Sequence, residues 1–103
     1  MIRIVFSTID DAHKAEQLAT TLVNRKLAAC VNIIPSVRSV YHWQGTVEKA
    51  MENLLIIKTS EGRLDELVDI LRELHPYDLP EIIALPGETG LPEYLRWVVE
   101  STT

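Results

Sequence analysis

Basic side chains are scarce in this sequence. Ten Lys and Arg stand against fifteen Asp and Glu, a formal charge of −5 at pH 7, so a nucleic-acid backbone is repelled on average and drops out as the expected partner. Cysteine occurs once, at Cys30, which rules out an internal disulfide and implies a reducing compartment. No apolar run approaches the ~20 residues of a membrane-spanning helix, and Met1 to Phe6 lack the small-residue cleavage site of a secretory signal. A cytoplasmic protein that does not engage a membrane is expected. Glycine is sparse as well, with four residues in all, and Gly87-Glu88-Thr89-Gly90 is too short for a phosphate-binding loop. Ser7, Ser36, Ser39 and Ser60 show neither a nucleophile elbow nor a partner arrangement. An enzyme is not expected.

What remains is a chain of 103 residues, 47% hydrophobic and 24% charged, which is globular rather than disordered composition. Such a length buries roughly 60–70% of its unfolded surface, and a single domain over residues 1–103 follows. Ile2, Ile4 and Phe6 alternate with Arg3, Val5 and Ser7 as in a half-buried strand, and Thr8-Ile9-Asp10-Asp11 supplies helix caps. From about Asp11 to Asn24–Lys26, Ala15, Leu18, Ala19, Leu22 and Val23 fall on one helical stripe. Ala28 to Thr59 holds one sharp turn signal, Gln44-Gly45, and reads as a hairpin, with Pro35-Ser36 marking a bulge or kink in its first arm. A second helix follows, capped by Ser60, with Leu64, Leu67, Val68, Leu71 and Leu74 on one stripe. His75-Pro76 ends it, and the two prolines of His75-Pro76-Tyr77-Asp78-Leu79-Pro80-Glu81 stiffen the connector beyond. Glu81 to Pro86 reads as a short strand, Gly87 to Gly90 as a turn, and Leu91 to Ser101 as a helix with Pro92 in its first turn.

This order predicts an α+β, ferredoxin-like βαββαβ sandwich with a long β-hairpin and a C-terminal helix. Each hairpin arm of about 13 residues spans roughly 43 Å, whereas a domain of this size has a diameter of roughly 33 Å. The tip therefore overhangs, carrying Val37, Val40, Tyr41, Trp43, Val47 and Met51, and such an apolar edge calls for ordered self-association. Adjacent apolar residues at Ile33-Ile34 and Leu54 to Ile57 make the sheet apolar on both faces, so a neighbouring subunit is expected to supply the missing layer.

Four ordered motifs, Leu27-Ala28-Ala29-Cys30-Val31-Asn32, Ser39-Val40-Tyr41-His42-Trp43-Gln44-Gly45, Leu55-Ile56-Ile57-Lys58-Thr59 and His75-Pro76-Tyr77 through Pro80-Glu81-Ile82, resemble those of the CutA divalent-cation tolerance family. The likeness extends to Tyr94-Leu95-Arg96-Trp97 and covers nearly the whole chain. It implies a cytoplasmic homotrimer joined through its long hairpins. It further implies a non-enzymatic role in tolerance of divalent metals, copper above all, with weak copper binding and no required cofactor. Some relatives carry a metal-binding pattern with Cys at the position of Ser7 and His at that of Leu74, two points at which this chain departs.

Cys30 and His75 are the candidate metal ligands, since thiolate and imidazole suit copper and zinc. Each also has a structural reading, Cys30 as a buried strand residue and His75 as a hydrogen-bond anchor at a helix end. Lys58 closes an apolar strand, where its charge calls for a partner such as Glu52, Glu81 or a carboxylate of another chain. Together with Tyr41, Trp43 and Tyr77 these residues outline an intersubunit pocket for a small anionic or polar ligand, the mark of a scaffold or sensor. An interface role for the aromatics and a structural ion pair for Lys58 are the alternatives.

Overall fold

A computed structural model of the chain describes residues 1–87 and 89–103; the expected Gly87–Gly90 turn includes Glu88, outside the described residues. Strand β1 spans Ile2–Ile9, helix α1 Ala12–Asn24, β2 Cys30–Trp43, β3 Thr46–Ser60, α2 Leu64–Leu74, β4 Ile83–Gly87 and α3 Pro92–Ser101. The four strands form one antiparallel sheet in the order β2-β3-β1-β4, the ferredoxin-like arrangement.

From Ile4 onward, alternation in β1 buries the less apolar set, while Ile2 of the other set is buried outside the main core. Val5, Ser7 and Ile9 are closed off under the helices, whereas Ile4 and Phe6 lie half-buried on the other face. Both sets are largely apolar, so period two alone does not tell which one the helices cover. Val5 and Ile9 join Leu55 and Ile57 of β3, Ala15, Leu18 and Leu22 of α1, and Leu67 and Leu71 of α2 in a single core. Residues Ile34, Ile83 and Leu85, on the face away from this core, remain exposed.

Helix α1 begins where expected because the Asp11 carboxylate accepts a hydrogen bond from the Lys14 amide at 2.9 Å, a bond that also lowers the Asp11 pKa. Helix α2 begins differently. The chain enters it through a single 3-10 turn, Glu61–Arg63, and Ser60 makes no side-chain capping bond; its hydroxyl instead accepts from Thr102 Oγ1 at 2.8 Å. The α2 stripe is also displaced: Ile70 packs on the core and Leu74 is exposed.

The hairpin turn is made by Gln44 and Gly45 at φ 50° and 81°, the left-handed pair that suits two-residue hairpin loops. Ser36, at φ 61°, marks the expected bulge: Ile34 opposes Leu54 before it and Val37 opposes Glu52 after it. That extra residue turns Val37, Ser39, Tyr41 and Trp43 onto the face of Glu52, Ala50 and Glu48. β1 pairs with β3 over Asn53–Ser60 only, so the rest of the hairpin projects, and the molecule measures 44 × 25 × 22 Å.

Ser7 Oγ is buried without a hydrogen-bond partner. Ser7→Ala is expected to leave stability unchanged or raise it by about 1 kcal/mol, because an unmet polar group is removed, while Leu71→Ala on the same core costs about 2–5 kcal/mol. Urea unfolding measures both, and a Ser7→Ala loss as large as that of Leu71→Ala would mean that the hydroxyl is satisfied.

Candidate functional site

Proline at position 76 forces His75 out of the helix, and His75 sits extended at φ −70°, ψ 136° at the end of α2. Its imidazole is 6% exposed and turns toward β1, where Nε2 lies 2.8 Å from the Thr8 carbonyl oxygen. A carbonyl only accepts, so Nε2 carries the proton. Nδ1 in turn accepts from the Tyr77 amide at 3.1 Å, which fixes the neutral tautomer and engages both ring nitrogens.

The Tyr77 ring stands edge-on to His75 with centroids 4.6 Å apart, and its hydroxyl donates to Glu52 Oε2 at 2.7 Å. Glu52 is 7% exposed. Burial, then the bonded Glu52 carboxylate, pushes the Tyr77 hydroxyl well above its ordinary value of 10.0, so the phenol stays protonated and donating.

Between this connector and the projecting hairpin lies a cavity of about 730 Å³. Its wall includes Tyr41, Trp43, Glu52, Tyr77 and Glu81, five of the six residues that the sequence assigns to a pocket. Lys58 is not among them. It lies six residues along β3 from Glu52, roughly 20 Å at strand spacing, where its ammonium donates to Asn32 Oδ1 at 2.5 Å and stands 5.9 Å from the Tyr94 ring centre. Neither Glu52 nor Glu81 pairs with it; Asn32 and Tyr94 do.

Cys30 faces Lys58 across the β2–β3 ladder and is a free thiol, with Sγ 3.7 Å from Asn32 Oδ1. The Lys58 position meets β1 at Ile4, four residues from Thr8, where His75 is anchored. Counting this offset and two strand spacings, Cys30 and His75 lie more than about 15 Å apart. The structure does not bring the two candidate ligands together within one chain. Among the described residues, no three His, Cys, Asp or Glu side chains converge on a point that could hold a metal ion.

Asp10 and Asp78 also border the cavity and escaped the sequence reading. Asp10 stood there only as part of a capping cluster, and positions 10, 52, 78 and 81 share no spacing that would group them before the fold is known.

Residues 3–101 match the family of CutA1 divalent ion tolerance proteins. The chain belongs to that family. The CutA of Thermus thermophilus is 43% identical over 102 residues, covering 99% of both chains, and its solved structure superposes with a TM-score of 0.96. A chloroplastic CutA of rice is 46% identical over 96% of this chain. The periplasmic divalent cation tolerance protein of Archaeoglobus fulgidus, 38% identical, superposes over both whole chains with a TM-score of 0.95. Against the plant relatives and those from mouse and human, this chain spans little more than half of the longer sequence. Shared compartment is thus no part of the CutA1 likeness, whereas the ferredoxin-like sheet with its long hairpin is.

Tyr77→Phe deletes the single hydroxyl that donates to Glu52, with an expected loss of about 1–3 kcal/mol in urea unfolding. The folded phenol holds its proton above pH 10.0 while the unfolded one releases it, so the unfolded state binds fewer protons there and wild-type stability falls as pH rises past 10.0. The fall should be shallower in Tyr77→Phe; equal slopes would remove the Tyr77–Glu52 bond from the linkage.

Proposed function

We propose that the chain works as a non-enzymatic, cytoplasmic homotrimer that contributes to divalent-metal tolerance and binds copper weakly. The single observation that carries this is the match to the CutA1 family over residues 3–101; its name, and those of the bacterial and archaeal relatives, speak of tolerance of divalent cations. The cytoplasmic placement rests on the free thiol of Cys30 and the absence of a disulfide partner.

Assembly draws its support from the sheet. One face is closed by α1 and α2, while Ile34, Ile83 and Leu85 lie exposed on the other and Val40, Val47 and Met51 on the projecting hairpin. β2 and β4 are the sheet's two edge strands, and unpaired edges beside apolar surface favour pairing with another chain. Sister copies would satisfy both needs at once.

Weak copper binding fits the geometry of the two ligands. Cys30 is half-buried with its thiol held only by a weak contact to Asn32 Oδ1, while His75 would have to give up its bond to Thr8 or to Tyr77 before it could bind a metal. Lone ligands of this kind hold soft metals loosely compared with a closed set of three or four.

Two measurements test these readings. Sedimentation at micromolar concentration should give three times the chain's mass of 11.7 kDa. Ile34→Glu and Leu85→Glu, at positions already 44% and 41% exposed in the single chain, should leave a folded protomer that no longer assembles; assembly unaffected by both, or a monomeric wild type, would sink the trimer. In Cu(II) calorimetry, Cys30→Ala should abolish most of the binding heat. His75→Ala should chiefly lower stability, by about 1–3 kcal/mol, through loss of its two backbone bonds. Isotherms identical to wild type in both variants would remove Cys30 and His75 from any metal role.

A further inference from the structure

The cavity beside the hairpin has an unbalanced wall. Four carboxylates border it, those of Asp10, Glu52, Asp78 and Glu81; His42 lies on the wall too, but among the described residues no Lys or Arg does. The rings of Tyr41, Trp43 and Tyr77 line the same space. We propose that this cavity binds a linear aliphatic polyamine, its ammonium groups held by the carboxylates and its methylene segments laid against the aromatic rings.

Glu52 makes the strongest demand for a cation. It is 7% exposed, yet its hydrogen-bond partner is the neutral phenol of Tyr77. The ion pairs among the described residues are Arg3–Glu61 and Arg63–Glu66, neither of which reaches the cavity. A carboxylate withdrawn from water is stabilised by an opposite charge beside it, and the cavity is the open side from which that charge can come. Tyr77 holds the carboxylate in place: its ring rests on His75 and its amide on His75 Nδ1, so the acceptor is preorganised before any ligand arrives.

The class of cation follows from spacing. A compact metal ion needs several ligand atoms converging on one point, and among the described residues no three acidic, His or Cys side chains do so. Carboxylates spread around a space of about 730 Å³ instead match charges spread along a flexible chain. Ammonium groups also gain from the faces of Trp and Tyr, and the volume lies within the range of small-molecule sites. An anionic ligand is disfavoured because Lys58, the cation that the sequence reading placed here, lies roughly 20 Å away along β3. The site uses neither Cys30 nor His75 as a ligand, so it stands apart from copper binding.

Spermidine is the probe. Because an acidic protein attracts any polycation, Glu73→Gln on the exposed surface of α2 serves as the control for net charge. Calorimetry on the full chain should show saturable spermidine binding that weakens at least 10-fold in Glu52→Gln and less than 2-fold in Glu73→Gln. Trp43→Leu, at an exposed hairpin position, should weaken it several-fold by removing a cation–π wall, which keeps the test open even if the buried substitution perturbs folding. In Trp97→Phe the one remaining indole is Trp43, and its fluorescence should change and saturate with the calorimetric midpoint. No saturable heat, equal losses in Glu52→Gln and Glu73→Gln, or full displacement of spermidine by Mg2+ at matched ionic strength would overturn the proposal, the last by showing a point-cation site. If wild-type binding appears only in Ile34→Glu, which is designed to stay a single chain, a side chain of a neighbouring copy fills the cavity and the polyamine proposal also fails.

Discussion

A mismatch of strand lengths governs this molecule. β3 runs for 15 residues and β1 for 8, so β1 can support only the second half of β3. From Glu52 back to Thr46 the long strand has a neighbour on one side alone, β2. Everything unusual about the chain lies where that support ends. The hairpin projects into solvent with its apolar residues, and the step between the end of β1 and the rising hairpin leaves a recess. The His75–Glu81 connector comes back from α2 across that step and walls the recess on its other side.

The connector can do so because its backbone is anchored at its root. A helix end leaves unsatisfied carbonyls and a chain free to wander; here Pro76 fixes the exit direction, and His75 ties the connector to Thr8 and to Tyr77 with both of its nitrogens. Tyr77 then reaches Glu52 on β3. Three elements distant in sequence, β1, the α2 exit and β3, are thereby joined by hydrogen bonds from uncharged donors, the last of them ending on one carboxylate. Buried networks of this kind hold geometry well when every member is satisfied. Here the last member, Glu52, is satisfied by a donor without charge.

Periodicity and turn chemistry made the fold readable from sequence almost throughout. Gln44-Gly45 announced the hairpin, Pro35-Ser36 the bulge and Asp11 the first cap, because each is a local constraint that tertiary contacts seldom override. The failures are those of ambiguous or competing local signals. β1 carries apolar residues on both faces, so alternation could not say that Val5, Ser7 and Ile9 face the helices. Ser60 looked like a cap, but Thr102, 42 residues later, holds its hydroxyl. The candidate site was legible in part for a similar reason. Counting back from the Gln44-Gly45 turn sets Tyr41 opposite Glu48, on the face that Glu52 shares. Lys58 has the same parity on β3, but a shared face does not mean proximity on a strand this long. Six residues of β3 separate the ammonium from the cavity.

The same distinction between residue type and residue circumstance bears on the metal ligands. In a bare sequence, a His beside a proline and a lone Cys read as available donors. In the fold His75 has no lone pair to spare, since one nitrogen donates to a carbonyl and the other accepts from an amide; its chemistry is consumed in holding the connector. Ser7 is sealed beneath the helices next to Thr8, and its hydroxyl finds no partner there. A thiol would suit that apolar spot better than a hydroxyl does, because Cys behaves as a small hydrophobe when buried. Cys30 stays half-buried beside the Lys58 ammonium with its thiol 3.7 Å from Asn32 Oδ1, and among the described residues no His, Asp or Glu joins it in a set of three that could close around a metal ion.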